Sequence, residues 1–408
     1  MEFMNQPFSG QLGDRLIELL ESSDFHTLEI AVAFAKNSGV LRIKDSFKKF
    51  REGGGKVNIY VGVDLGGTSY EALTALLLHT DSLNVVHSES DQTFHSKIYQ
   101  FSGKNHGLLV VGSHNLTGGG LWTNFESSLH IPTDGTDANE KGVHKEPEDY
   151  FRKLQSLKDS FMPITNQDEI DKLLQNDYVT NEIFDRVHRA KSAKKDGTRE
   201  RLFGTGAPAK SPRLKPLKEV NTATVSANSA DATYLETSDQ NLTIWFETRK
   251  MTGGSRNILD LSKTSLLERG DPTGTPFDLG EEKFMRGGVE FFGLNPSEIN
   301  QAKDITLNFE GIDYAGNTIL FPEGDNANGT WRLQIKGVDS SNNKITKAFE
   351  AKGESTFLMN KVITFTKVHD DYFYMSIFRE NALEGIKAAS SIIARNGRSQ
   401  NARYLGLL

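Results

Sequence analysis

The stretch FHSKIYQFSGKNHGLLVVGSHNLTGGGLWTNFE, running from Phe94 to Glu126, constrains this chain most. Its opening, FHSKIYQF, alternates as a strand does, and a period of two puts His95 and Lys97 on one face. A turn over Gly103 to Gly107 follows, then a second apolar strand, GLLVV. That strand runs into Gly112-Ser113-His114-Asn115 and a glycine-rich loop, Thr117 to Gly120, with Asn124 and Glu126 just beyond. Two neighbouring strands would therefore deliver an imidazole, an ammonium, a hydroxyl, an amide and a carboxylate to one point.

Those groups suit phosphodiester chemistry without a metal or other cofactor. A neutral imidazole, here His95, can attack phosphorus and form a covalent phosphohistidine. Lys97 and Asn115 can hold the phosphoryl oxygens where charge develops. Glu126 can bond the other imidazole nitrogen and fix its tautomer.

H-x-K followed by G-S-x-N at the end of the next strand resembles the signature of the phospholipase D superfamily: H-x-K, four residues, Asp, then G-S-x-N. The match covers His95, Lys97, Gly112, Ser113 and Asn115; the motif's Asp falls on Ser102, and the spacing to G-S-x-N is slightly longer. That departure weighs against the lipases more than the nucleases. S-x-N-x-T-x-G-G followed by N-x-E is similar to restriction endonucleases of the phospholipase D type. The resemblance implies His95 as nucleophile or general acid, Lys97 and Asn115 on the scissile phosphate, Ser113 assisting and Glu126 orienting His95. This chemistry needs two histidines, and the chain has one H-x-K. The resemblance thus implies a homodimer sharing one active site on double-stranded DNA, its strands cut in turn. It leaves open a companion DNA methyltransferase or ATPase, and action on another substrate such as lipid or non-specific nucleic acid.

At 408 residues, two domains are expected. No apolar run is long enough to span a bilayer, and no membrane-binding amphipathic stretch is evident. The start, MEFMNQPFSG, has neither a basic n-region nor an apolar h-region. With no cysteine at all, these features fit a cytoplasmic protein. The net charge of −7 is unusual for a DNA-binding protein, but basic residues cluster over Lys191 to Lys218 and acidic ones over Asp134 to Asp149.

Before the H-x-K stretch the chain alternates. Helices are expected over Gly13–Ser22, Val40–Arg51 and Ser69–Leu78, and strands over Thr27–Ala35, Lys56–Val63 and Leu83–His87. A further strand over Ser127–Pro132 and helices over Glu146–Met162 and Gln167–Ala190 complete a domain spanning 1–190. The expected fold is an α/β mixed sheet flanked by helices, like that of phospholipase D. Within it, Gly62-Val63-Asp64-Leu65-Gly66-Gly67-Thr68 matches the phosphate loop of sugar-kinase and actin-like ATPases. In those families the motif opens the chain, whereas here a full strand-helix unit precedes it, so a strand end followed by a glycine turn and a helix cap at Thr68 or Ser69 accounts for it better.

Residues 191–240 read as a basic, flexible linker. From 241 to 408 the texture is short strands: LTIWFET, VEFFGL, DITLNFEG, NTILFP, WRLQIKG, KVITFTKV and Asp371–Arg379, then a helix over Glu380–Ala394. That spacing suggests a mainly β barrel or pseudobarrel. Two loops, ETRKMTGGSRN and DNANGTW, are dense in side chains that read base edges. The arrangement resembles the plant "B-three" DNA-binding pseudobarrel, as does Asp313-x-x-Gly316-Asn317, although Ile319 stands where the plant consensus has Trp. The resemblance makes Arg249, Lys250, Thr252, Ser255, Arg256, Asn257, Asn326, Asn328 and Trp331 candidate DNA contacts. Asp339 with Glu350-Ala351-Lys352 approximates the D…E-x-K pattern of metal-dependent nucleases, but in what reads as a hairpin.

Overall fold

The computed structural model describes residues 1–90, 92–134, 141–187, 206–210, 212, 242–250, 256–323, 329–353 and 356–408. They group into two compact units, with Met1–Glu182 the body of the first and Asn241–Leu408 that of the second. Most of 191–240, read as a linker, lies outside the described residues.

The first unit is an eight-stranded mixed sheet. Its strands are β1 (Glu2–Gln6), β2 (Thr27–Val32), β3 (Lys56–Gly62), β4 (Ser82–Val86), β5 (Lys97–Ser102), β6 (His106–Gly112), β7 (Glu126–Asp134) and β8 (Phe161–Ile164). They lie in the order β1-β7-β6-β5-β2-β3-β4-β8. Strands β2, β3 and β4 run parallel. Parallel neighbours need crossover connections. These are supplied by the helices α2 (Asn37–Glu52) and α3 (Tyr70–His79), which follow α1 (Leu12–Glu21). All other pairings are antiparallel, including β2 with β5 and β5 with β6. This mixed α/β sheet is the one that strand–helix alternation leads one to expect.

Helix starts show how the far end of the unit is tied in. Ser69 caps α3 by accepting from the Ala72 amide. The N-cap of α2 offers no side-chain acceptor. Glu182 supplies one, accepting from the Asn37 amide at 2.6 Å and from Ser69 Oγ at 2.8 Å. The Glu182 amide in turn donates to Glu71. Burial, then the charge of Glu182, push the Glu71 carboxyl up to about 7.

Two expected helices are shorter than their sequence periodicity. The one expected to reach Met162 is α4 (Lys141–Gln155), and Phe161–Ile164 pairs instead with β4 as edge strand β8. The one expected over Gln167–Ala190 is broken: α5 (Gln167–Gln175) stops before Asp177, whose φ of 60° lies in the left-handed region, and helix resumes over 182–187.

The second unit is an eleven-stranded sheet: β9 (Thr243–Glu247), β10 (Ile258–Leu261), β11 (Thr264–Arg269), β12 (Phe284–Arg286), β13 (Ala302–Phe309), β14 (Ile312–Leu320), β15 (Trp331–Gln334), β16 (Lys361–His369), β17 (Tyr372–Arg379), β18 (Ile392–Arg395) and β19 (Tyr404–Leu407). The order is β10-β15-β14-β13-β17-β16-β9-β19-β18-β11-β12. Among the described residues no pairing joins β10 to β12, so the expected pseudobarrel is seen as an open series of strands. Helices α6 (Ile345–Ala351) and α7 (Leu383–Ala389) interrupt it. Three expectations fail here. VEFFGL is a 3-10 turn, Gly288–Phe292, whose Phe291 and Phe292 plug the core. The helix expected over Glu380–Ala394 ends at Ala389, and Ile392–Arg395 enters the sheet as β18. Glu350 stands on α6, not in a hairpin.

The Asp313-x-x-Gly316-Asn317 motif is internal. Asp313 Oδ1 accepts from Asn308 Nδ2 and from the Tyr372 hydroxyl, both at 2.6 Å. Fully buried Asn317 donates to the Tyr314 carbonyl and accepts from the amides of Lys336 and Gly337. Asp313→Ala would strand two buried donors at once. A loss of about 3 kcal/mol is expected, read from the denaturant midpoint of the second unit's transition.

Candidate active site

The site is built where β5 begins and β6 ends. The two strands pair antiparallel with Ile98 opposite Val111, which sets Lys97 close to the G-S-x-N turn. His95 precedes β5 and is exposed; Lys97 is buried at the strand's first position. Lys97 Nζ lies 2.8 Å from His95 Nδ1 and 3.1 Å from Nε2, and donates to the His95 carbonyl at 3.0 Å. Burial pushes the Lys97 ammonium below the usual lysine range, and the Glu126 carboxylate partly offsets this.

Across the hairpin, Ser113 Oγ donates to Glu126 Oε2 in a short hydrogen bond and accepts from the Ser127 amide. Asn124 Nδ2 donates to the other Glu126 oxygen at 3.2 Å. Both oxygens of Glu126 are thus engaged by its neighbours. No hydrogen bond joins Glu126 to His95 of the same chain, contrary to the orienting role expected for it. Its reach toward the H-x-K side within one chain is electrostatic, through Lys97.

Asn115 Oδ1 accepts from the Phe34 amide at 3.1 Å, leaving its NH₂ group as the donor end. The Phe34 ring stands edge-on to His95 with centroids 5.9 Å apart. The segment after β2 therefore links the two halves of the motif. Leu116 donates to the Phe34 carbonyl and accepts from the Lys36 amide.

The glycines of this stretch are close-packing residues. A Cβ on Gly112 would meet the Ser127 carbonyl at 2.2 Å, and one on Gly120 the Asn115 carbonyl at 2.4 Å. His114, between the two motif polar residues, is buried and donates from Nδ1 to the Gly120 carbonyl. Burial lowers its pKa, which keeps it neutral.

Other sequence candidates fall elsewhere. Asp64 is engaged within the protein, its oxygens bonding His87 Nδ1 at 2.8 Å and the Phe94 amide at 3.0 Å. Asp339 accepts from the amides of Ser341 and Asn343, while Lys352 pairs with Glu310 at 2.7 Å, so D…E-x-K is not gathered. Of the candidate DNA contacts, Lys250 and Arg256 are exposed and Asn257 is half-buried. Arg249 pairs with Glu247 and donates to the Asn401 carbonyl. Trp331 is wholly buried, its indole N–H donating to the Pro296 carbonyl, so it is a core residue and contacts no ligand. Thr252, Ser255, Asn326 and Asn328 lie outside the described residues.

No family model and no curated protein matches the sequence. Among solved structures, the chain is similar to NucT from Helicobacter pylori, at 17% identity and a TM-score of 0.29, over 40% of this chain and 98% of that one. It is similar to Nuc, a phospholipase D family member from Salmonella typhimurium, at 16% identity and 0.28, over 40% and 97%. A polyphosphate kinase from Porphyromonas gingivalis matches at 12% identity and 0.25, over 38% and 21%. Scores this low assign neither fold nor activity, so the chemistry rests on the side chains themselves.

The Lys97–Glu126 coupling is testable directly. In Glu126→Gln the ammonium loses the charge that supports it, so its pKa should fall further. Titration of Lys97 by NMR should show it deprotonating at lower pH than in the wild type.

Proposed function

We propose that the chain is a metal-independent, site-specific endonuclease of the phospholipase D type, acting on double-stranded DNA as a homodimer with one shared active site. The observation that carries this reading is Lys97 Nζ set against the His95 ring, at the hairpin end that also presents Ser113 and Asn115. One imidazole nitrogen of His95 attacks phosphorus; the P–N bond forms as the bond to the leaving sugar oxygen breaks. Lys97 and the Asn115 amide hold the non-bridging oxygens, where the transition state gathers charge. The partner's His95 protonates the leaving oxygen. It then takes a proton from water, which attacks phosphorus and frees the first imidazole.

The dimer has support in the sheet. Phe3, Leu129 and Val111 stand opposite one another across β1, β7 and β6. They are 59%, 40% and 42% exposed. Phe8 and Phe125, also exposed, pack together with ring centroids 5.7 Å apart. A row of exposed apolar side chains on β1, β6 and β7, of which β6 leads into Ser113 and β7 begins at Glu126, fits a self-complementary contact beside the site. Lys250, Arg256 and Asn257 are the described residues left to read DNA, and Arg249 joins them by exchanging Glu247 for phosphate or guanine.

Digestion of phage DNA in excess EDTA tests the chemistry. Wild type should give discrete fragments, and His95→Ala should lose cleavage by at least about 10⁴-fold. Cutting that needs magnesium and survives His95→Ala would sink the reading. Charge placed on the apolar row, Val111→Glu with Leu129→Glu, should halve the mass seen by analytical ultracentrifugation and abolish cleavage. A wild-type monomer that still cuts would defeat the shared site.

A further inference from the structure

The loop Gly62 to Thr68, which looks like a nucleotide-binding motif, has its polar and close-packed groups turned toward the H-x-K segment. We propose that this loop is the cradle that positions His95, with Asp64 as the positioning residue at its centre. The inference rests on the proposed role of His95 and adds to it the device that fixes where that imidazole sits.

Several contacts converge. Asp64 Oδ2 accepts from the amide of Phe94, the residue next to His95, at 3.0 Å. Its other oxygen is pinned by His87 Nδ1 at 2.8 Å, and the Asp64 side chain is only 10% exposed. His87 is itself backed by the ring of Tyr178, at 5.2 Å between centroids. A Cβ on Gly62 would lie 2.8 Å from the Ala33 carbonyl and 3.1 Å from the Phe94 carbonyl, so the strand end and Phe94 are in close contact there. A Cβ on Gly67 would lie 2.0 Å from the ring of Phe34, the ring that stands against His95. Thr68 closes the loop, donating from Oγ1 to the Gly62 carbonyl and accepting from the Ala35 amide.

The loop thus holds the residue before His95 from one side and the ring beside it from the other. The H-x-K strand has no regular partner at that point: β5 begins only at Lys97, so the Phe94 amide lies outside the sheet ladder. A carboxylate acceptor on an adjacent loop fills that gap, and a charged acceptor makes the stronger bond. Among the described residues, His87 bonds Asp64 directly, Glu89 has Oε2 3.9 Å from His87 Nε2 and accepts from the Tyr178 hydroxyl through its other oxygen, and Lys36 Nζ donates to the Gly66 carbonyl of the same loop at 3.2 Å. An imidazole that must attack phosphorus in line tolerates little displacement, and misplacement by about 1 Å costs about 100-fold in rate.

Asp64→Ala and Asp64→Asn in the full-length chain separate the alternatives, because the Asn amide oxygen can still accept from Phe94. Two readouts are needed: hydrogen exchange at the Phe94 amide by NMR, and single-turnover DNA cleavage. Asp64→Ala should lose protection at Phe94 and cleave about 100-fold more slowly, with KM within about threefold of wild type. Asp64→Asn should keep the protection and recover most of the rate. Unchanged exchange at Phe94 in Asp64→Ala would overturn the clamp, and so would lost protection with an unchanged cleavage rate. Should wild type prove not to cut DNA, the nuclease reading fails on its own; the exchange experiment still decides whether Asp64 holds the His95 segment.

Discussion

The pairing of β5 with β6 is the constraint on which the site depends. Side chains alternate across a strand, so a slip of one residue in that pairing would turn Lys97 from the buried face to the other and part the H-x-K side chains from Ser113 and Asn115. The register is held from both directions. Strand β2 pairs with β5 so that Val32 faces Lys97, and β7 pairs with β6 so that Ser128 faces Gly112. The Asn115 bond to Phe34 then ties the far end of β6 back to the end of β2. A small number of backbone pairings fixes four functional groups, and each strand involved is also a core strand.

That dependence explains what was legible in the sequence. The site strands are strongly patterned, since Tyr99, Phe101 and Leu108 to Val110 are all core residues, and their ends carry the polar motif. The parallel strands β2 to β4 read clearly for the same reason, being apolar and separated by amphipathic helices. The edges did not. Strand β1, EFMNQ, is short, and its burial alternates through polar residues; Gln6, fully buried, spends its side chain on the Gly119, Gly120 and Asn124 carbonyls. Strands β8 and β18 follow helices directly, and their apolar residues extend the helical period by chance. What decides them is a strand to pair with, β4 for β8 at the sheet edge, and β19 and β11 on either side of β18, a tertiary fact that local spacing does not contain.

Polar motifs were less legible than apolar ones, because a hydrogen-bonding side chain serves folding or function with the same sequence. Asp313 and Asn317 look like surface recognition chemistry and are buried fasteners between β13, β14 and β17. Trp331, placed among polar loop residues, anchors the core beside Phe321. Arg249 is the intermediate case. It is held by a carboxylate whose second oxygen accepts from the Tyr404 amide, so recruiting it to DNA means breaking a pair in which Glu247 is almost fully buried. Leaving that carboxylate without its cation is a cost that weakly bound, non-specific DNA would not repay. Such an exchange would favour sites that offer the arginine a bidentate partner.

The glycines bear on the same ambiguity. In a phosphate loop they are needed because the ligand approaches the backbone; around His95 they are needed because protein does. Gly62, Gly67, Gly112 and Gly120 each have another part of the chain where a Cβ would stand. The proposed nucleophile therefore sits on an exposed tip whose supports, Phe34, Asp64 and Phe94, are half-buried. Its neighbours are fixed by contacts too close to accept a methyl group. A histidine exposed to substrate yet held from behind in this way meets the two demands of in-line attack, which are access for the phosphate and a ring that does not turn away.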